Sequence, residues 1–249
     1  LGDPLLVREG RGLVPTPRAE ALAPALEGLL RELRRVLVDV SAFDPATSER
    51  TFVVAAPDVL APLVPDLLEA VSDAPRVTVE LRVGQLSGVP PEVDLAIGVM
   101  PSEAPGVIAR RLGQVHQAVA LRAGHPALEL PWTPATYASF PHVTIRTNTP
   151  GPSLVEQALE GAGLHRRVGL VAPTFLLAPH VVARTDLLFT GPKELLELLA
   201  PTVGLVVRDP PVPMPAVPVA AQWTERVDAD PGHRWLRRRV IDAVAARLA

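Results

Sequence analysis

The chain has 249 residues, 48% of them apolar, and a formal net charge of −3, which argues against both a disordered segment and a wholly basic nucleic-acid-binding surface. It contains no cysteine, so disulfide scaffolds, thiolate catalysis and thiolate metal sites are excluded, and a reducing compartment is the expected setting. No apolar run is long enough to span a bilayer, and no charged segment followed by an apolar one directs secretion, so a cytoplasmic location without membrane contact is expected.

The first elements come quickly. Leu5 and Val7 alternate with polar positions, Glu9-Gly10-Arg11-Gly12 supplies turn chemistry, and Leu13-Val14 resumes an extended run. That pattern predicts a small hairpin, which alone is marginal in water. Arg8 and Arg11 flank its tip, where two solvated loop arginines are the plain alternative to a functional role. Thr16-Pro17 then opens a helix, with Thr as cap and Pro at the first helical position. Leu22, Leu26, Leu29, Leu33, Val36 and Val40 form a heptad seam, widened by Leu30 and Leu37. A helix of about 24 residues is about 36 Å long, and so one-sided a helix fits a connector that pairs two copies better than one lying on its own domain. Pro24 within it removes a backbone bond at about 3 kcal/mol, so a bend near Glu20 to Pro24 is expected.

A polar linker around Phe43-Asp44-Pro45 leads to a short strand over 51–57 and an amphipathic helix carrying Leu60, Leu63, Val64, Leu67, Leu68 and Val71. Strands are predicted at 77–83 and 93–99, and a strand leaving this lobe at 117–128. The scheme then repeats. A strand at 142–147, a helix over 153–162 and a strand at 167–173 are followed by helix and strand within 174–190. Another helix at 194–199 and a strand in "GLVVRD" precede the Pro-rich 210–219, a crossing near Gln222-Trp223 and a last helix on Trp235, Leu236, Val240, Val244 and Leu248. Two α/β units with two crossings predict a hinged clamshell.

The stretch "DPLLVREGRGLVPTPRAEALAPALEGLLREL" resembles the end of the winged helix-turn-helix domain and the linker helix of LysR-type transcriptional regulators. "GHPAL", "ARTDLLFT" and "DPGHRWLRR" look like signatures of that family's effector domain, so the resemblance covers nearly the whole chain. It implies a type 2 periplasmic-binding-protein-like clamshell, preceded by a wing remnant at 1–16 and a linker and dimerisation helix at 17–50. Lobe I is expected at 51–122 plus 222–249, and lobe II at 123–221. On the same resemblance the rest of the DNA-reading head precedes Leu1, and Arg8, Arg11 and, more weakly, Arg18 contact DNA.

In hinged α/β lobes, ligands bind at the carboxyl ends of strands, beside helix N-termini. Those loops hold Pro57, Asp58 and Val59 after the first strand, and Gly98, Val99 and Met100 after the third. The second unit offers Arg146, Thr147, Asn148 and Thr149, then Thr174 and Phe175. The family resemblance implies that these loops line an effector cleft. Arg146 suits a carboxylate, and Phe175 and Met100 suit an apolar wall; a surface arginine or an interlobe ion pair is the alternative for Arg146. A hydroxyl residue often precedes such an Asp in the family, whereas this chain has Pro57, which implies a different or less polar effector.

Enzyme readings find little support. There is no Gly-x-Ser-x-Gly elbow and no phosphate loop, and "GAGLHR" lacks the third glycine of a dinucleotide fingerprint. The six histidines have no metal-ligand spacing, so no metal or cofactor is expected. His125 reads as structural, Glu194 and Glu197 as a solvent face, and Arg237 to Arg239 as the wet side of the last helix. The chain therefore reads as a regulator that partners with promoter DNA and a small-molecule effector, a carboxylate or an aromatic, as a homodimer or homotetramer. The competing reading, a solute-binding protein or enzyme on the same lobes, has no use for a heptad helix.

Overall fold

In the computed structural model every residue is described except 1, 11, 42, 85–88, 99–103, 147–150 and 249, with residues 34–41 described by backbone only. Two units are distinguished, Leu1–Asp44 and Pro45–Ala249.

The first unit holds β1 (Leu6–Glu9), β2 (Gly12–Pro15) and α1 (Pro17–Ser41). The strands pair antiparallel with Glu9 opposite Gly12, leaving a two-residue tip. Gly10 sits there at φ +61°, a conformation that side chains resist. The Thr16 hydroxyl accepts the Ala19 N–H at 3.2 Å and donates to Asp3 Oδ1 at 2.8 Å. Asp3 also accepts from the Leu5 N–H at 2.7 Å, so one carboxylate ties strand entry to the helix cap. The helix continues through Pro24. Its Leu26, Leu29, Leu30 and Leu33 are 51–67% exposed, a stripe with the spacing the sequence shows. The side chains of Val36 and Val40 lie outside the described residues.

The second unit begins with β3 (Thr51–Ala56), a 3₁₀ turn (Asp58–Leu63) and α2 (Val64–Ala70). The apolar spacing predicts one continuous helix over this segment, and the prolines divide it. Pro62 has no N–H to give the Asp58 carbonyl, so the first turn tightens, and Pro65 is tolerated only because it lies in the first turn of α2. Then come β4 (Thr78–Val83), β5 (Leu95–Gly98), β6 (Val107–Val115), β7 (Gln117–Arg122), α3 (Pro134–Ser139) and β8 (Pro141–Ile145). They are followed by α4 (Leu154–Glu160), β9 (Arg167–Ala172), α5 (Leu177–Val182), β10 (Leu188–Pro192) and α6 (Lys193–Val203). The chain closes with β11 (Leu205–Arg208), β12 (Val217–Thr224) and α7 (Pro231–Leu248).

These strands form two five-stranded sheets, ordered β4-β3-β5-β12-β6 and β11-β7-β10-β8-β9. In each, the local strand–helix–strand units pair in parallel, while the strand arriving from the other sheet pairs antiparallel. The chain crosses at His116 and again before Val217. Residues 117–122 therefore belong to the second sheet rather than the first, and 217–221 to the first rather than the second. Both faces of the second sheet are covered. Ala118 and Ala120 of β7 join one core cluster with Phe189, while Val119 and Leu121 join another with Tyr137 and Leu188. This is why "QAVALR" reads as an unbroken apolar run rather than an alternating one.

Polar ties hold the first lobe together. Arg50 donates to Asp230 at 2.6 Å and to Asp94 at 3.3 Å, and Asp94 accepts the Val53 N–H at 2.8 Å. His233, fully buried, contacts the Asp94 carbonyl through Nε2 at 2.7 Å. A Cβ on Gly113 would lie 2.5 Å from that of Leu248, so glycine at this position lets the end of α7 close onto β6.

Candidate functional site

Five of the residues predicted from strand-end loops converge. Pro57 and Asp58 follow β3, Arg146 follows β8, and Thr174 and Phe175 follow β9; together they line one cleft of about 330 Å³ between the lobes. Val83, Gly84, Ile145 and Pro173 complete it. Val83 and Gly84 are additions to the predicted set, although the same strand-end rule, applied to 77–83, points to them. Val59 is buried and faces a different cavity, and Gly98 is not among the lining residues. Val99, Met100, Thr147, Asn148 and Thr149 lie outside the described residues.

Local structure fixes each contributor. Asp58 opens the 3₁₀ turn and is half-buried, and its Oδ2 accepts the backbone N–H of Leu176 at 2.8 Å. Leu176 precedes α5, so a first-lobe carboxylate supplies an acceptor to the start of a second-lobe helix. Arg146 is exposed, and its side chain has no ion-pair partner among the described residues; its own N–H donates to the Ala172 carbonyl at 3.0 Å, which holds the loop in register with β9. Phe175 meets Phe189 edge-on at 6.2 Å and is thereby anchored to the second-lobe core. The cleft thus offers a guanidinium, a carboxylate already engaged on one oxygen, a hydroxyl and an aromatic face. That set has the hydrogen-bonding groups and the charge that a small polar ligand requires. Among the described residues no group of His, Asp and Glu is placed to hold a metal ion.

His142 of β8 joins a polar cluster centred on Arg166. Arg166, with a side chain 3% exposed, donates twice to Glu156 Oε1, at 2.8 and 2.6 Å, and to His142 Nδ1 at 3.4 Å. Glu156 also closes a capping box with Ser153 at the start of α4. His142 donates from Nε2 to the Tyr137 carbonyl at 2.9 Å. Burial, with Arg166 close by, lowers its pKa to about 4. Burial also pushes the Tyr137 phenol, bonded to Thr190 at 2.6 Å, up to about 12.

Two surface expectations are corrected by the structure. Glu194 does not simply face solvent: its Oε2 is buried and has no hydrogen-bond partner among the described residues. Arg237 is not on a wet face either. It pairs with Asp228 at 2.8 Å and lies over the Trp223 ring at 4.8 Å, and the Trp223 Nε1–H donates to the same Asp228 at 2.9 Å. His125 is fully buried and accepts the Ala127 N–H through Nδ1 at 3.0 Å, while its Nε2 has no hydrogen-bond partner among the described residues.

Two α/β lobes that face each other across a polar cleft define a periplasmic-binding-protein-like clamshell. The model of the LysR substrate binding domain matches residues 45–245. The chain is 32% identical over 252 residues to the HTH-type transcriptional activator NahR of Pseudomonas putida, across 97% of this chain and 83% of that protein. It is 34% identical over 260 residues to the HTH-type transcriptional regulator LinR of Sphingobium indicum, across 100% and 84%. The regulatory domain of MexT, a transcriptional activator in Pseudomonas aeruginosa, shares the fold with a TM-score of 0.68 at 24% identity, across 80% of this chain and 100% of that domain. The chain belongs to the LysR family of transcriptional regulators.

Proposed function

We propose that this regulator reads a small organic acid in its interlobe cleft and converts binding into altered contacts with promoter DNA. The observation that carries this reading is the convergence of Asp58, Arg146, Thr174 and Phe175 on one 330 Å³ cleft. Arg146 takes the carboxylate bidentately, Thr174 hydrogen-bonds it or a neighbouring group, and Phe175 covers the apolar body. Asp58 already holds the lobes together through Leu176, so a ligand that competes for or adds to this contact shifts lobe closure.

The exposed stripe on α1 pairs two copies, as a homodimer or as the pairing unit of a homotetramer. The heptad spacing and the 51–67% exposure of its leucines support this assembly. Arg8, Arg11 and Arg18 contact the DNA backbone beside a reading head, contributing affinity more than sequence information. Arg8 and Arg18 are exposed, as such a role needs. Among the described residues no helix is long and apolar enough to cross a membrane.

Thermal melting with a panel of small carboxylates tests the cleft. At least one should raise the melting temperature of the wild type and leave Arg146→Met unmoved. A panel without effect, or one acting equally on both proteins, would remove Arg146 from the role of carboxylate ligand.

A further inference from the structure

Arg166 is not among the residues that line the effector cleft. It stands immediately before β9, whose far end leads to Thr174 and Phe175, and reaches across to β8, whose end leads to Arg146. On the strand side its guanidinium contacts His142 Nδ1 at 3.4 Å and Thr144 Oγ1 at 3.5 Å. On the helix side it contacts Ser153 Oγ at 3.4 Å and donates to Glu156 Oε1 from Nε at 2.8 Å and from Nη2 at 2.6 Å. Ser153 and Glu156 are the capping box that opens α4.

The chain between Thr144 and Ser153 carries Arg146, so both ends of that connection are tied to one guanidinium, in a side chain only 3% exposed. The Arg146 N–H is bonded to the Ala172 carbonyl at 3.0 Å, while its exposed side chain makes no ion pair among the described residues. Its place in the cleft is set by the chain on either side rather than by side-chain contacts of its own. A binding group is effective only when the residues behind it fix its position.

We propose that Arg166 is the positioning residue for Arg146, holding the cleft's cation from outside the cleft so that it meets a carboxylate. The role rests on Arg146 being the carboxylate's ligand. It also requires arginine: lysine keeps a charge for Glu156 but lacks the planar fork that reaches several acceptors at once.

Amide hydrogen exchange of the whole chain, followed by NMR without ligand, tests the positioning. In Arg166→Met the Arg146 amide should exchange at least ~10-fold faster relative to the amides of β7. Arg166→Lys should recover part of the melting temperature without recovering that protection. Leu195→Ala, which empties a fully buried core position on α6, should lower the melting temperature and leave the Arg146 amide unmoved relative to β7. Benzoate, titrated calorimetrically below the melting temperatures, should bind at least ~10-fold more weakly to Arg166→Met than to the wild type and equally well to Leu195→Ala. Exchange at Arg146 that merely tracks the melting temperature across the three variants overturns the proposal. So does accelerated exchange with benzoate affinity unchanged. A wild type that binds no benzoate removes benzoate as a ligand of the cleft, and the exchange comparison then decides the positioning by itself.

Discussion

The carboxylate of Asp58 and the backbone N–H of Leu176, 118 residues apart in sequence, form a 2.8 Å hydrogen bond across the cleft between the lobes. It joins the start of one lobe's first helical turn to the start of the other lobe's α5, so the two strand-end loops that line the cleft are also its latch. The bond is solvent-exposed, so it is worth about 0.5–1.5 kcal/mol. Replacing Asp58 with Ala frees the Leu176 amide, and its hydrogen exchange should accelerate by about 2- to 10-fold, while amides deep in the second-lobe core keep their protection. Unchanged exchange at Leu176 would show that the latch does not persist in solution.

Arg166 is the hub of the second lobe's polar cluster. Arg166→Met retains much of the side-chain volume but strands Glu156, His142 and the start of α4 without their shared donor. Removing one partner of a buried pair costs about 3–5 kcal/mol. Glu156 remains 38% exposed, so water recovers part of that, and a loss of about 2–3 kcal/mol is expected. The urea midpoint should fall with the slope unchanged.

The same cluster sets a pH dependence. His142 titrates near 6.5 when unfolded and at about 4 in the fold. Between those values the unfolded chain binds more protons, so stability rises with pH. Its contribution is complete above about 6.5, declines as pH falls and is lost below about 4. His233 is shifted downward as well, mainly by burial, and adds to the slope in the same direction. Urea midpoints from about pH 7 down to about 4.5 should therefore decrease, and the His142 ring should remain neutral at about pH 5.5 by NMR. A ring charged at that pH would contradict the burial account.

Much of this architecture is visible in the sequence wherever local chemistry sets the structure. The Gly10 turn, the Thr16 cap and the heptad stripe as far as Leu33 are all short-range patterns, and the structure reproduces each of them. Strand β6 escapes a local reading because Arg110-Arg111 and Gly113 break its alternation. What defines it is an eight-residue pairing with β12, a hundred residues later. The short α3 escapes it too, despite Thr133 capping it. The cleft is partly readable because strand ends in such lobes converge by topology. That logic reaches Asp58, Arg146 and Phe175, but it does not say that Asp58 grips Leu176. Spacing places Glu194 and Glu197 on one face of α6; it does not reveal that the first lobe's 3₁₀ turn packs nearby or that one Glu194 oxygen is buried.

The α1 stripe makes a separate prediction. Leu29→Lys combined with Leu33→Lys places two charges on the seam while leaving helix propensity almost unchanged. Sedimentation should show the wild-type chain as dimers or larger and the variant displaced toward monomer. A variant that sediments like the wild type would mean that the stripe pairs with nothing.

Effector-dependent DNA contact is tested most directly by footprinting the gene product on genomic DNA fragments selected by binding, with and without a carboxylate that stabilises the wild type. Protection is predicted at half-sites separated by whole helical turns of about 10 base pairs, in a pattern that changes on adding the acid and does not change for Arg146→Met. Protection identical with and without the ligand, or none at all, would contradict it.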